Sequence, residues 1–201
     1  ITNISVGAQP DAIVYDPQNN YIYAADYIIN ASSNKVIGTI QVYPNAMVYD
    51  PQNGYIYVAN LGSGAVFVIN GKTNTVIAII KVGKFPDAIT YDPQNGLIYV
   101  ANAASNTVSV INTSSNKVID TISVGCWPDA ITYDPKNGDI YVANLYSGSI
   151  SIISTKGTST SLPTSFAIIG AIAVIIAVAV ILLRKRYIFK PSNSLSTKGV
   201  F

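Results

Sequence analysis

Residues Phe85-Pro-Asp-Ala-Ile-Thr-Tyr-Asp-Pro-Gln-Asn-Gly96, continued by Leu97-Ile-Tyr-Val-Ala-Asn102, decide the fold. Two runs rich in β-branched and aromatic residues flank Asp92-Pro93-Gln94-Asn95-Gly96. Pro presets φ for a turn position, and Asn-Gly supplies residues that tolerate positive φ, so the segment reads as a tight hairpin. Two more runs follow, Thr107-Val-Ser-Val-Ile-Asn112 and Asn116-Lys-Val-Ile-Asp-Thr-Ile-Ser-Val-Gly125. Apolar residues recur at period two within them, as at Val118, Ile122 and Val124, which marks strands with distinguishable faces.

The unit is repeated. Tyr-Asp-Pro begins at Tyr15, Tyr49, Tyr91 and Tyr133, at spacings of 34, 42 and 42 residues. Nothing before residue 157 has a helical period. Four-stranded units of about 40–45 residues in tandem predict an all-β fold, a β-propeller of about four blades. One such sheet alone exposes both faces to water, and stacking blades about an axis buries them against each other. The first unit is eight residues short and carries Tyr23-Ala-Ala-Asp26 where later copies read Tyr-Val-Ala-Asn. It is expected to lose a strand or to have a clipped hairpin.

The phase of the repeat carries a further expectation. Ile1-Thr-Asn-Ile-Ser-Val-Gly7 matches the end of the fourth run, as in Asp120-Thr-Ile-Ser-Val-Gly125. The last unit runs through Ser149-Ile-Ser-Ile-Ile153 and has no fourth run. Ile1–Val6 is therefore expected to complete the unit of Tyr133 and to close the ring. The first residue is Ile1, so a leader has been removed or the chain is a piece of a longer protein.

Tyr57-Val-Ala-Asn60, Tyr99-Val-Ala-Asn102 and Tyr141-Val-Ala-Asn144 follow Pro-Asp-Ala-Ile-like strands and Asp-Pro-x-Asn-Gly turns. In this, residues 1–155 resemble the YVTN family of β-propeller repeats, found in archaeal and bacterial surface-layer and surface-antigen proteins. Ala stands here where the family motif has Thr. The resemblance implies a cell-surface location and a binding role, without fixing a ligand. It also implies more blades, since such proteins are usually seven-bladed.

The domain reading is repeats over 1–156, a Ser/Thr-rich linker over 157–164, a transmembrane helix over 165–183 and a basic tail over 184–201. Phe166 to Leu183 contains no charged side chain and is long enough, as a helix, to cross a bilayer core. Arg184-Lys185-Arg186 follows at once, and the positive-inside rule makes that end cytoplasmic. The expected location is the cell membrane, single-pass, with the repeats extracellular. Asn3, Asn30 and Asn112 begin Asn-x-Ser/Thr sequons on the external side and are candidate N-glycosylation sites.

Composition narrows the function. The chain has no His, no Glu and one Cys, so the usual catalytic triads and metal-ligand sets cannot be assembled. No catalytic, cofactor-binding or metal-ligating residue is assigned, and no cofactor. Cys126 reads as a small half-buried residue beside Trp127. Residues 1–163 hold ten Asp against seven Lys, a balance that argues against nucleic acid as partner. Asp16, Asp50, Asp92 and Asp134 precede proline in the turns and are expected to cap backbone N–H groups. Asp11, Asn45, Asp87 and Asp129 recur at the entrance of each first strand and are expected to form a polar axial ring that takes a cation or a polar ligand. The resulting reading is a membrane-anchored surface propeller for binding, adhesion or envelope structure, with a protein or glycan at the cell surface as partner. The alternative is the ectodomain of an enzymatic or redox complex whose catalytic residues another chain supplies.

Overall fold

The computed structural model describes residues 1–7 and 10–155, which belong to one compact unit. The predicted linker, transmembrane helix and tail lie outside the described residues. Among those described, no helix is long and apolar enough to cross a membrane.

Fifteen strands form four antiparallel sheets, each a meander of consecutive strands. The first blade is β1 (Ile13–Asp16), β2 (Tyr21–Ala24), β3 (Tyr27–Asn30) and β4 (Lys35–Thr39). The second is β5 (Ala46–Asp50), β6 (Tyr55–Asn60), β7 (Ala65–Asn70) and β8 (Thr75–Lys81). The third is β9 (Pro86–Asp92), β10 (Leu97–Asn102), β11 (Thr107–Asn112) and β12 (Lys117–Ser123). The fourth has three strands, β13 (Pro128–Tyr133), β14 (Ile140–Asn144) and β15 (Ser149–Ile153). A single 3₁₀ turn, Ala103–Ser105, is the one helical element among the described residues.

The first hairpin forms as its sequence requires. Asp92 O accepts from the N–H of Gly96, Asp92 Oδ1 accepts from Gln94 N at 2.8 Å, and Asn95 Oδ1 accepts from Leu97 N. Gly96 has φ +68°, and Gly54 and Gly138 repeat it; Asn20 takes the position in the first blade with φ 56°. The turn aspartates thus cap backbone N–H groups, as at Asp16, Asp50 and Asp134.

The first blade keeps all four strands, each of four or five residues. Six of the eight missing residues come from the second hairpin: β2 and β3 are each two residues shorter than β6 and β7, and only Ala25 and Asp26 join them, where Leu61–Gly64 join β6 to β7. A shorter loop removes residues without breaking the ladder of backbone hydrogen bonds that holds the sheet.

The blades pack face to face in chain order. Tyr23 and Ile28 of the first blade meet Ile56, Val58 and Ile69 of the second. Tyr57, Val66 and Val68 of the second meet Ile98, Val100 and Ile111 of the third. Tyr99, Val108 and Val110 of the third meet Ile140 and Val142 of the fourth. Every one of these side chains is at most 4% exposed. At about 1.5–3 kcal/mol for each fully buried large apolar side chain, these three seams are the main source of stability.

The arc is open. Ile13 and Tyr15 at the first end are 70% and 49% exposed, and Ile150 and Ile152 at the other are 60% and 61% exposed. Ile1–Val6 forms no strand and does not pair with β15, contrary to the expected closure. It lies instead along the outer face of the first blade, with Ile4 and Val6 over Ile22, Ala24 and Ile29. Closing four blades within one chain would have buried both end faces, and the geometry of the three seams leaves them apart.

Candidate functional site

The row of side chains expected near the axis is brought together. Asp11 and Asn45 line one open cavity of about 550 Å³, with Asp26, Tyr43 and Asn60 on its wall. Asn45 Nδ2 donates to Asp87 Oδ1 at 3.3 Å. Burial pushes the Asp87 carboxyl up; the Asn45 hydrogen bond lowers it, and the charge of Asp129 raises it again. Asp11, Asn45, Asp87 and Asp129 therefore form a row along the open arc rather than a closed ring. Among the described residues, no group of three His, Cys, Asp or Glu side chains is gathered closely enough to hold a metal ion.

Sequence reasoning missed the aromatic half of this site. Tyr43, Phe85 and Trp127 each precede the proline that enters a first strand. All three lie in the left-handed region, with φ of 45°, 53° and 56°. A bulky residue there is uncommon, and such strain costs on the order of 1–3 kcal/mol unless the surroundings hold it. It lifts the rings out of the blade edges toward solvent: Tyr43 is 67% and Phe85 42% exposed. Phe85 meets Trp127 edge-on at 6.3 Å between centroids, and Trp127 meets Tyr146 at 5.2 Å. Tyr146 is itself 68% exposed. The signal was present in the sequence, as an aromatic residue before three of the four such Pro-Asn or Pro-Asp pairs, with Gln9 at that place in the first unit.

Asn60 and Asn102, the last residues of two Tyr-Val-Ala-Asn motifs, hold the loops of Tyr43 and Phe85 in place. Asn60 Nδ2 donates to the carbonyls of Val42 and Tyr43, both at 2.9 Å. Asp26, its counterpart in the first blade, accepts from the N–H groups of Val42 and Tyr43 through Oδ1 at 2.9 and 2.7 Å. Asn102 is fully buried; its Oδ1 accepts from Gly83 N, and its Nδ2 donates to Thr107 and Ser109. A Cβ on Gly83 would stand 2.6 Å from the Asn102 side chain, so that approach needs glycine. Trp127 N donates to Asn106 Oδ1 at 2.9 Å, and Trp127 O accepts from Leu145 N at 2.8 Å. The strained conformations at Tyr43 and Trp127 are thus held by side-chain hydrogen bonds, from Asn60 and Asp26 to Tyr43 and from Asn106 to Trp127.

The site presents flat aromatic faces beside carboxylate and amide oxygens. Aromatic faces take apolar C–H surfaces or cationic groups, and the oxygens accept hydrogen bonds from hydroxyl or ammonium donors. Cys126 lies at this rim and is exposed, not half-buried as expected. The sequon residues fall outside the rim. Asn3 is exposed, while Asn30 and Asn112 end β3 and β11 at equivalent hairpins. There Asn30 Oδ1 accepts from Ser33 N and Asn112 Oδ1 from Ser115 N, both at 3.0 Å.

Solved structures share the fold. The chain is similar to the hydrazine synthase of Kuenenia stuttgartiensis, with a TM-score of 0.60 and 22% identity, covering 77% of this chain and 53% of that one. A functionally unknown protein from Desulfotomaculum acetoxidans gives a TM-score of 0.63 at 16% identity, over 76% of this chain and 57% of that chain. The WD40 β-propeller domain of Doa1 gives 0.59 at 17% identity, over 72% and 50%. The fold is that of a β-propeller. The chain spans about half the length of these structures, so the propeller seen here is an arc of blades. A family model described as arylesterase matches residues 81–162, the third blade and beyond. A search of curated proteins finds no match.

Proposed function

We propose that this chain is a membrane-anchored surface propeller of the YVTN type whose aromatic–carboxylate rim binds a polar ligand, a surface glycan or a protein segment. The observation that carries the reading is the row Tyr43, Phe85 and Trp127, held in strained backbone beside Asn45, Asp87 and Asp129. Backbone strain in a folded protein persists where the surroundings over-determine it, and it clusters at ligand clamps. The uncharged stretch 165–183 and the basic residues that follow support an anchor with the rim outside.

Trp127 is the single tryptophan, so its fluorescence reports on the rim directly. Titration with neutral oligosaccharides and with a Lys-rich peptide tests the reading. Binding that is insensitive to salt indicates a glycan, whereas binding lost at high salt indicates a cationic protein segment. No response to either class, in the chain held in detergent, removes the proposal.

A second reading is the ectodomain of an enzymatic or redox complex. The arylesterase match over 81–162 and the likeness to a hydrazine synthase favour it. Its chemistry would come from a partner chain, since the sequence contains no His and no Glu. Aryl-acetate hydrolysis or a cofactor absorbance that co-purifies with this chain in its native complex, and is absent from the chain purified alone, would support this reading over the first.

A further inference from the structure

One place in the repeat is filled by apolar side chains in the second blade and by hydroxyls in the third. Phe67 of β7 packs with Ile56, Val58 and Ile69 in the seam with the first blade. Ala65, two residues before it on the same strand, shares that face. The equivalent residues, 42 positions on, are Thr107 and Ser109 of β11. They share the face of Ile111, which packs against the second blade. Where the second blade has a phenyl ring, the third thus has a hydroxymethyl group, and a cleft of about 320 Å³ lies between the second and third blades at this point.

Three hydroxyls line this cleft, those of Ser105, Thr107 and Ser109, and each already accepts a hydrogen from the protein. Ser105 Oγ accepts from Lys84 N at 2.7 Å, Thr107 Oγ1 from Asn102 Nδ2 at 3.2 Å, and Ser109 Oγ from the same Nδ2 at 3.0 Å. The amide cannot be turned round, because Asn102 is fully buried and its Oδ1 accepts from Gly83 N at 3.1 Å. A hydroxyl has one hydrogen of its own to give. Among the described residues, none of the three gives it to a protein acceptor. Ser109 is 2% exposed, so its hydrogen is directed into the cleft that the side chain lines. The pinned amide therefore turns a set of hydroxyls into a set of donors.

Charge at the cleft has one sign. Lys81, the last residue of β8, lines it; its Nζ donates to Ser63 O at 3.1 Å and keeps two further hydrogens. The pairing register puts Thr39 and Ser123 at its place in the first and third blades, so the cation belongs to this seam. No acidic residue is among the described residues that line the cleft. Asp120 pairs with Val110 and so lies on the other face of β12, where its Oδ1 accepts from Thr121 N. Thr121 itself pairs with Ser109 and is exposed at the cleft, while Val82 and Val118 give it an apolar wall.

We infer that this cleft is a binding site for an acidic sugar unit, a sugar carboxylate of the hexuronate class. The Lys81 ammonium pairs with the carboxylate, and Ser105, Thr107 and Ser109 donate to sugar oxygens. Val82 and Val118 take the C–H face, and Thr121 accepts from a sugar hydroxyl. Charge alone would suit any oxyanion; several O–H donors beside an apolar wall select a ligand that carries both oxygen acceptors and C–H surface. The volume is near the lower end of ligand pockets, about 300–1,000 Å³, and suits one sugar unit. None of Tyr43, Phe85 and Trp127 lines the cleft, so the inference does not rest on the aromatic rim.

The test titrates the full-length chain in detergent with D-glucuronate, D-glucose and inorganic sulfate, followed by calorimetry. Glucuronate is expected to bind, with glucose and sulfate each about tenfold weaker or more. Lys81→Met, at an exposed position, should weaken glucuronate by about tenfold. Thr107→Ala carries the residue that the second blade has at this place and should weaken it by about threefold. Urea midpoints check that both variants fold; if Thr107→Ala does not, Lys81→Met decides alone. No binding of glucuronate, or binding that neither variant weakens, overturns the inference. Sulfate bound as tightly as glucuronate overturns the sugar and leaves an anion site, and glucose bound as tightly overturns the role of Lys81. Loss of binding in Trp127→Ala with Lys81→Met unaffected moves the ligand to the rim, which overturns this site while leaving the rim reading intact.

Discussion

Tyr57 and Asn116 are 59 residues apart in the chain and 2.9 Å apart in space, joined by a hydrogen bond from the phenol of one blade to the hairpin of the next. The same phenol accepts from Asn53 Nδ2 at 3.2 Å, while its ring is fully buried in the seam between the second and third blades. One side chain therefore ties a turn, a core and a neighbouring blade together.

Removing only the hydroxyl separates these roles. Tyr57→Phe is expected to lose about 1–3 kcal/mol, since it removes the hydrogen bonds to Asn116 and from Asn53 and leaves both half-buried amides without that partner. Tyr57→Ala adds a cavity and should cost about 3–5 kcal/mol. Urea denaturation of the two variants checks the order.

Alkaline pH should loosen the seams. Burial, ahead of nearby carboxylate charge, pushes the Tyr49 phenol up to about 12; burial also raises Tyr57 to about 12, against the hydrogen bond from Asn53. The unfolded chain releases these protons near the ordinary value of 10.0. The folded state then holds protons that the unfolded state has lost, so stability falls as pH rises. The contribution is complete below pH 10 and disappears between about 10 and 12. Denaturation midpoints taken across that window, followed alongside tyrosinate absorbance, should decline together; a flat profile would contradict the burial of these phenols.

Asn102→Ala should cost about 1–3 kcal/mol, because Gly83 N, Thr107 and Ser109 lose a buried partner. Gly83→Ala should destabilise by about 1–3 kcal/mol through overpacking, as its Cβ would meet the same amide. The two substitutions touch one contact, so the double variant should cost less than the sum. Thermal melts of the three variants measure that coupling.

Trp127→Ala should change stability by no more than about 1 kcal/mol, since the half-buried ring sits at the rim beside Phe85 and Tyr146. Binding of the rim ligand should drop at least tenfold, which isothermal titration can read after the fluorescent reporter is gone.

The blades were legible because their determinants are local. Asp-Pro-Gln-Asn-Gly sets a turn through φ preferences of its own residues, and period-two runs set strand faces without knowledge of any neighbour. The row Asp11, Asn45, Asp87 and Asp129 was legible for the same reason, as one position repeated at one place in each unit. The aromatic rim was not, because Tyr43, Phe85 and Trp127 look like ordinary core residues in a string. Only the left-handed backbone, held at Tyr43 by Asp26 and Asn60 and at Trp127 by Asn106, turns them outward.

By itself the sequence determined the number of units, their strand order, the shortened first hairpin and an uncharged stretch of membrane length. Each depends on interactions between residues a few positions apart. Tertiary structure decided that the four blades form an open arc and that Ile1–Val6 lies on the first blade instead of beside β15. It also decided which aromatic residues face water. These outcomes depend on the angle at which one apolar face seats on the next, and no spacing along the chain encodes that angle.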